Sequence, residues 1–386
     1  MAQLDLAQPR DHSIQTKIRR NSLTAGSSKC DRVVVIAPGD ITQPHTGDVE
    51  FSSLLRHVLE RHFSTELFCF KQHSIMMPRA KVILNLPKWM ILLSRRLLTT
   101  NGVVIIINYP QIAVFAQVLR KLFSKEYHVV SFIDKPAKSR HESHAPTTLL
   151  WFLNWSLGYA LSDAVIFNKS TFSPSLISGF AKPHVAVPGM LVDTSSFFFD
   201  SDARTRLRGS LGLDENAPVV GLIGPFHRYN LPSLNYLRDN ISRYRKDIEF
   251  LIIGDCPAIN RFAHERVRFA GRVTRLDEWL SACDVILIPR YINSGAPMGK
   301  MINAMAIGLP VVTNNAEAMS VTNGIDAVIC PIDDFPKSVG RLFDDSAESR
   351  LIGNNARLKI LNEFSTLAYE SPLSGFIQKL VTGSVG

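Results

Sequence analysis

Cysteine is scarce in this chain of 386 residues. The five cysteines are odd in number and lack the paired spacing of a zinc site or a disulfide framework. They are Cys30, Cys69, Cys256, Cys283 and Cys330. This pattern is typical of a reducing compartment, and we expect a cytoplasmic protein. Metal-binding motifs are equally scarce: the Asp-x-Asp triplet at 200–202 has no flanking strand, and we interpret it as a solvated turn.

Long apolar runs are also absent. The most apolar window, residues 149–167, is interrupted by Asn154, Ser162 and Asp163, which argues against a membrane-spanning helix. Residues 1–30 are polar and lack an apolar central region, so we expect a flexible tail and no signal peptide.

The net positive charge is concentrated in one half of the chain, because acidic residues are fewer there. Residues 1–200 hold 22 lysines and arginines against 14 aspartates and glutamates, whereas residues 201–386 hold 21 against 20. A basic half favours an anionic partner, such as a membrane surface or a phosphorylated acceptor. Nucleic acid is not expected, because the sequence shows no recognition motif for it.

Short β-branched runs alternate with helical stretches along the whole chain. Runs that end in Pro-Gly or Gly-Pro, such as RVVVIAPG (32–39) and PVVGLIGP (218–225), are typical of buried parallel strands. The pattern restarts after residue 198, which predicts an α/β protein with two Rossmann-like, doubly wound parallel sheets facing across a cleft. The predicted parts are a tail (1–30), an N-terminal domain (31–198), a linker (199–217), a C-terminal domain (218–364) and a C-terminal helix (365–386).

One cation stands alone near the start of a predicted helix. Lys300 follows a glycine-bearing loop in the stretch SGAPMGKMINAMAIGLPVV, residues 294–312. A cation at a helix N-terminus opposes the macrodipole, at a cost of about 0.3–1 kcal/mol, and a bound anion would reverse that balance. The pattern therefore predicts a phosphate site, the alternative being a surface lysine that tolerates the cost.

Asp134 ends an apolar strand, at the edge where the active sites of α/β proteins lie. A partly buried carboxylate there could act as a general base. The alternative is a turn cap, which Asp residues in short loops often form. Lys138 and Arg140 follow closely and could bind an acceptor phosphate.

The C-terminal half resembles the donor-binding half of GT-B glycosyltransferases. The resemblance lies in FAGRVTRLDEWLSACDVILIP (269–289), SGAPMGKMINAMAIGLPVVTNNAEAM (294–319) and LIGNNARLKILNEFS (351–365). Retaining members of the large family 4 carry two glutamates, at the positions that Gly295 and Asn303 occupy here. This departure puts a retaining mechanism in doubt.

The chain is also similar to the smaller group of xanthan-type, membrane-associated β-glucuronosyltransferases of family 70, which are inverting. GKMIN (299–303) matches that group's Met-Lys-x-x-Gln, and Asp40, Pro44 and Phe51 have counterparts in its first strand, loop and helix. Asp134 falls where the group places its catalytic aspartate.

The resemblance implies a set of site residues. Asp134 would be the catalytic base, and Asp40, His45, Gly47, Lys138 and Arg140 would form the acceptor side and a glycine loop. His45 and Asp48 are alternative acid–base candidates, although a plain loop there is the competing interpretation. The donor would contact Lys300, Arg228, Asn303, Gly295, Ala296, Pro297, Met298, Arg272 and Val273. No metal or other cofactor is expected, because cations and helix N-termini would neutralise the leaving diphosphate.

The resemblance therefore implies transfer of a sugar from a nucleotide-diphosphate donor to a saccharide or lipid-linked saccharide. We expect a UDP-linked donor, with UDP-glucuronate as one candidate. The basic segment LPKWMILLSRRLL (86–98) favours peripheral contact with the inner face of a membrane, or else a core helix with a basic rim. Three alternatives remain: a retaining family-4-like transferase, a non-catalytic nucleotide-sugar or glycan-binding protein, and a nucleotide-sugar epimerase.

Overall fold

The computed structural model describes parts of both halves of the chain. The described residues are 32–38, 47–70, 90–107, 110–133, 159–168, 181–226, 230–256, 259–291, 299–315 and 320–383. Among them, no helix combines the length and the apolar composition that a membrane crossing requires.

The N-terminal half forms a parallel sheet of six strands in the order β2-β1-β3-β4-β5-β6. Its strands are β1 (Arg32–Pro38), β2 (Ser64–Phe70), β3 (Gly102–Ile107), β4 (Tyr127–Ile133), β5 (Ala164–Asn168) and β6 (His184–Val187). Its helices are α1 (Gly47–Glu60), α2 (residues 90–98) and α3 (Pro110–Leu122). Strands β3, β4 and β5 are almost wholly buried because helices cover both faces of a doubly wound sheet.

The C-terminal half forms a second parallel sheet, in the order β12-β11-β10-β7-β8-β9. Its strands are β7 (Val219–Ile223), β8 (Glu249–Ile253), β9 (Val267–Gly271), β10 (Val285–Ile288), β11 (Val311–Thr313) and β12 (Val328–Ile329). The helices from residue 201 onward are α4 (Ser201–Ser210), α5 (Leu231–Asn240), α6 (Leu276–Ser281), α7 (Gly299–Ala306), α8 (Phe335–Asp344), α9 (Ser346–Glu363) and α10 (Thr366–Thr382). Two six-stranded parallel sheets confirm the predicted fold class.

The two faces of the C-terminal sheet carry different helices. Met301 and Met305 of α7 pack with Ile286 of β10 on one face. Leu234 of α5 and Phe335 of α8 pack against the other face. The chain therefore leaves β7 and β10 toward opposite sides of the sheet.

The segment predicted as a linker, residues 199–217, contains helix α4. Asp200, from the Asp-x-Asp triplet, caps this helix by accepting a hydrogen bond from the N–H of Ala203 at 2.9 Å. The buried guanidinium of Arg208 donates to Asp284 at 2.8 Å, and Asp284 also accepts from the N–H of Val219 at 2.8 Å. This charged network fixes α4 to the C-terminal sheet, because breaking a buried ion pair is costly.

Helix α10 returns to the N-terminal half. Leu373, Phe376 and Ile377 are buried with Leu55 and Leu59 of α1 in one core cluster. The chain crosses between the halves twice at one place, where residue 192 pairs with residue 365 in a parallel bridge. The predicted C-terminal helix thus completes the core of the first sheet.

Candidate functional site

The two strands at the centre of the C-terminal sheet, β7 and β10, are neighbours in space but not in sequence. Their connections run to opposite faces, which opens a crevice beyond their carboxyl ends. Ligands of α/β proteins bind in such a crevice, at the topological switch point. In the N-terminal sheet the equivalent point lies between β1 and β3.

Lys300 reaches across this switch point from α7 to the end of β7. Its Nζ donates a hydrogen bond of 2.7 Å to Oδ1 of Asn230, in the connection that leads to α5. The amine also lies close to Gly224, since a Cβ on that glycine would come within 2.9 Å of Nζ. Burial, and then the positive charge of Arg290, lowers the pKa of Lys300 to about 8. The amine therefore lies in a poorly hydrated crevice, where a cation attracts an anion more strongly than it does in water.

Three glycines line the carboxyl ends of β7, β8 and β9. Gly224 donates its N–H to Ile253 O at 2.9 Å, and Gly254 donates its own to Gly271 O at 2.9 Å. A Cβ on Gly254 would collide with the carbonyl oxygen of Gly224, and the φ of Gly254 is +131°. Only glycine allows this close backbone approach, which leaves the strand ends free of side chains beside the crevice.

Arg290, at the end of β10, is held through its backbone. Asn314, at the end of β11, accepts from the N–H of Arg290 at 2.7 Å and donates to its carbonyl oxygen at 2.9 Å. These two hydrogen bonds fix the backbone of Arg290 just beyond the end of β10. Its charge affects Lys300, so two cations share this part of the crevice.

The other described donor candidates lie around the same edge. Asn303 is half-buried and follows Lys300 by three residues on α7, so both side chains lie on one side of that helix. Arg272 follows β9, is exposed, and approaches Asp255 to 3.6 Å. Val273 is half-buried and packs on the core. Contact of these residues with a donor stays a prediction.

Most of the remaining candidates lie outside the described residues. They are Asp134, Arg228, Gly295, Ala296, Pro297, Met298, Asp40, His45, Lys138 and Arg140. The structure does describe the strands that precede them: β1 ends at Pro38 and β4 at Ile133, one residue before Asp134. Gly47 is the first residue of α1.

The N-terminal half touches the crevice through Met190. A Cβ on Gly299, the first residue of α7, would come within 2.6 Å of Cε of Met190. The preceding residue, Gly189, donates its N–H to Oδ1 of Asn168 at the end of β5, at 2.7 Å. The carboxyl edge of the first sheet is thereby connected to the residue next to Lys300.

Sequence reasoning missed Asn230, Arg290 and Asn314. Arg290 and Asn314 lie within two residues of the ends of β10 and β11, so their positions could have flagged them, whereas the local context of Asn230 indicates only a helix cap. Within the part of the chain that the structure describes, no group of three or more His, Cys, Asp or Glu residues could hold a metal ion.

Residues 217–345, about a third of the chain, match the family model described as "Glycosyl transferases group 1". No curated protein matches the chain by sequence. Solved structures share its overall fold at low identity. Anabaena Alr3699/HepE in complex with UDP and glucose has a TM-score of 0.64 and 16% identity, over 91% of this chain and 100% of that one.

Two further solved structures share the overall fold of this chain. A glycosyltransferase from Rickettsia africae ESF-5 gives a TM-score of 0.66 at 10% identity, covering 92% of this chain and 99% of its own. The lipopolysaccharide outer core galactosyltransferase WaaB gives a TM-score of 0.57 at 15% identity, covering 90% of this chain and 99% of its own. These likenesses confirm the GT-B fold. With the matched group 1 domain, they support the predicted enzyme class, a glycosyltransferase.

Proposed function

We propose that this glycosyltransferase takes its sugar from a UDP-linked donor, with the diphosphate held at the switch point of the C-terminal sheet. The observation that carries the proposal is the position of the Lys300 amine. It is largely buried between the ends of β7 and β10, and its hydrogen-bond partner, Asn230, is neutral. Arg290 adds a second cation, and the three glycines leave the strand ends open. The structures of HepE with UDP and with UDP-glucose support the choice of uridine.

The reaction that we propose is a direct displacement at the anomeric carbon, with inversion. Asp134, one residue beyond β4, would take the proton of the acceptor hydroxyl as its oxygen attacks. The diphosphate would leave toward Lys300 and Arg290, whose positive charges stabilise the charge that develops on it. The resemblance to family 70 and the Gly295 and Asn303 substitutions favour this course over a retaining one, and the same resemblance suggests UDP-glucuronate as the donor.

A panel of nucleotide sugars tests the donor half of the proposal. We expect UDP sugars to raise the thermal unfolding midpoint of the wild type and to have no such effect on Lys300→Ala. Stabilisation by other nucleotide sugars but not by UDP sugars would refute the choice of uridine. Stabilisation of Lys300→Ala equal to that of the wild type would refute the role of the amine.

Variants of Asp134 test the chemistry. Asp134→Asn should still bind UDP but lose sugar transfer, and the product of the wild type should have the anomeric configuration opposite to that of the donor. A product with retained configuration would favour the family-4-like alternative. Binding of UDP sugars with neither transfer nor hydrolysis would favour a non-catalytic binding protein, and conversion of the donor without an acceptor would favour an epimerase.

We also propose that the acceptor is a lipid-linked saccharide at the inner face of a membrane. Helices α2 and α3 cover one face of the N-terminal sheet. Ile91 of α2, Leu122 of α3 and Phe123, which follows α3, are exposed apolar side chains, and the cations Arg95 and Lys121 of the same two helices are exposed as well. Apolar residues flanked by cations are typical of a surface that lies on anionic lipid.

Flotation with lipid vesicles tests this contact. The wild type should float with vesicles that contain phosphatidylglycerol and not with neutral phosphatidylcholine vesicles. Replacing Leu122 and Phe123 with serine should abolish flotation. Leu358→Ser, at another exposed leucine, in the C-terminal half, is the control and should have no effect. Equal flotation of all these proteins would contradict the assignment of the surface.

A further inference from the structure

Asn230 occupies a position where its side chain would ordinarily cap a helix. It immediately precedes α5, and asparagine is favoured at such positions because its oxygen accepts a hydrogen bond from the second or third residue of the helix. Here the side chain makes no such bond. The second residue is Pro232, which has no N–H, and the N–H of Ser233 bonds to the carbonyl oxygen of Asn230 itself, at 3.1 Å. The amide of Asn230 is therefore available for another purpose.

Both ends of that amide have partners, one in its own connection and one across the crevice. Nδ2 donates to the carbonyl oxygen of Pro225 at 2.9 Å, and Oδ1 accepts from Nζ of Lys300 at 2.7 Å. A lysine amine can only donate and a carbonyl oxygen can only accept, so the amide has one orientation that satisfies both. The connection after β7 thus positions a cation that belongs to the connection after β10.

The partner of the amine is neutral. A carboxylate in this place would form an ion pair with Lys300, and it would repel an incoming diphosphate. An amide holds the amine by a hydrogen bond and leaves its full charge for the ligand. The amide accepts a hydrogen bond from the amine while it stays uncharged itself. A second charged group would be costly here, because burial already disfavours the charged form of Lys300.

We propose that Asn230 is a positioning residue, which holds the amine of Lys300 at the switch point without neutralising it, so that the charge is available to the diphosphate of the donor. This inference rests on the proposed function, because it assumes that Lys300 binds the diphosphate. It predicts that replacing Asn230 changes the charge state and the orientation of the Lys300 amine. The replacement should not act by destabilising helix α5.

Two substitutions separate these effects. Asn230→Asp keeps the shape and introduces a charge, and it should raise the pKa of Lys300 by about one unit or more through the new ion pair. Asn230→Ala removes the acceptor, so the amine is no longer directed. Both should weaken UDP binding at pH 7 by about tenfold or more, the first by repulsion and the second by loss of preorganisation.

The titration of Lys300 can be measured without any ligand. In the full chain labelled with ¹³C at Cε of lysine, the Lys300 resonance is identified by its loss in Lys300→Arg. It should titrate near pH 8 in the wild type and at a distinctly higher pH in Asn230→Asp. An unchanged midpoint in Asn230→Asp would overturn the inference, whatever the protein binds.

Binding of UDP, measured by calorimetry from pH 6.5 to pH 9.5, completes the test. Wild-type affinity should fall as the pH rises through the Lys300 midpoint, and in Asn230→Asp the fall should occur at higher pH. If Lys300→Ala loses UDP binding while both Asn230 variants bind like the wild type, the positioning role is wrong and the proposed function stands. If the wild type binds no UDP at any pH, both are wrong. Thermal unfolding of each variant provides the control for folding.

Discussion

Replacing Lys300 with methionine should change how the stability of the chain depends on pH. Burial and the charge of Arg290 lower the pKa of this lysine from 10.5 to about 8. At about 1.4 kcal/mol per pH unit, this difference means that holding the charged amine in the crevice costs about 3 kcal/mol. Methionine is similar in length and carries no charge, so the variant avoids that cost. It also leaves Oδ1 of Asn230 without its donor, a loss of about 1–3 kcal/mol that does not depend on pH.

The sign follows from which state binds the proton. Below pH 8 the amine is charged in both the folded and the unfolded chain. Between about pH 8 and pH 10.5 the unfolded chain binds the proton and the folded chain does not, so the stability of the wild type rises with pH. Lys300→Met lacks this contribution. Relative to the wild type, its free energy of unfolding should therefore fall by about 2 kcal/mol between pH 7 and pH 10.

Urea unfolding of both proteins at the two pH values measures this difference. Lys337→Met, which removes an exposed amine from α8, controls for the loss of one positive charge. A gap between Lys300→Met and the wild type that is the same at pH 7 and pH 10 would refute the reasoning, because it would mean that the folded chain does not disfavour the charged amine.

Three other perturbations have defined outcomes. In thermal unfolding, Gly254→Ala should lower the free energy of unfolding by about 3 kcal/mol or more, because a Cβ there collides with backbone. Gly375→Ala is the control: its Cβ would meet open space, so the variant should be as stable as the wild type or slightly more stable. Asp284→Asn should cost about 3–5 kcal/mol in urea unfolding, because it leaves the buried guanidinium of Arg208 without its carboxylate, and a loss below about 1 kcal/mol would contradict that account. Deleting α10 should leave the N-terminal half unable to fold, which limited proteolysis would reveal, and a protease-resistant N-terminal fragment would show that the helix is dispensable.

The strands were predictable because each is a short buried run with a clear end. GVVIII and AVIFN, for example, are buried from end to end, and both strands lie inside the segments that the sequence predicts, 102–110 and 163–168, although the first ends three residues earlier than predicted. Helix α4 was not predicted. Its sequence, SDARTRLRGS, is charged on most sides, and its place depends on the ion pair of Arg208 with Asp284, a contact between distant parts of the chain.

The candidate site also has one residue that the sequence predicts and one that it does not. The position of Lys300 at a helix start beside a glycine loop could be read from local sequence, and the structure does place its amine at the strand ends. Asn230 could not be found in this way. It lies 70 residues from Lys300, and its local context suggests an ordinary helix cap. Only the order of the strands, which makes β7 and β10 neighbours, brings the two residues together.

The path of α10 has a consequence for biogenesis. The N-terminal sheet is translated before the C-terminal sheet, but Leu373, Phe376 and Ile377, which belong to its core, are translated after the C-terminal sheet. The C-terminal sheet is built from one continuous stretch, β7 to β12, and its core can close while the first sheet still lacks its final helix. The half that is synthesised second should therefore mature first, and until α10 is translated the first half has an open apolar groove on which a chaperone can act.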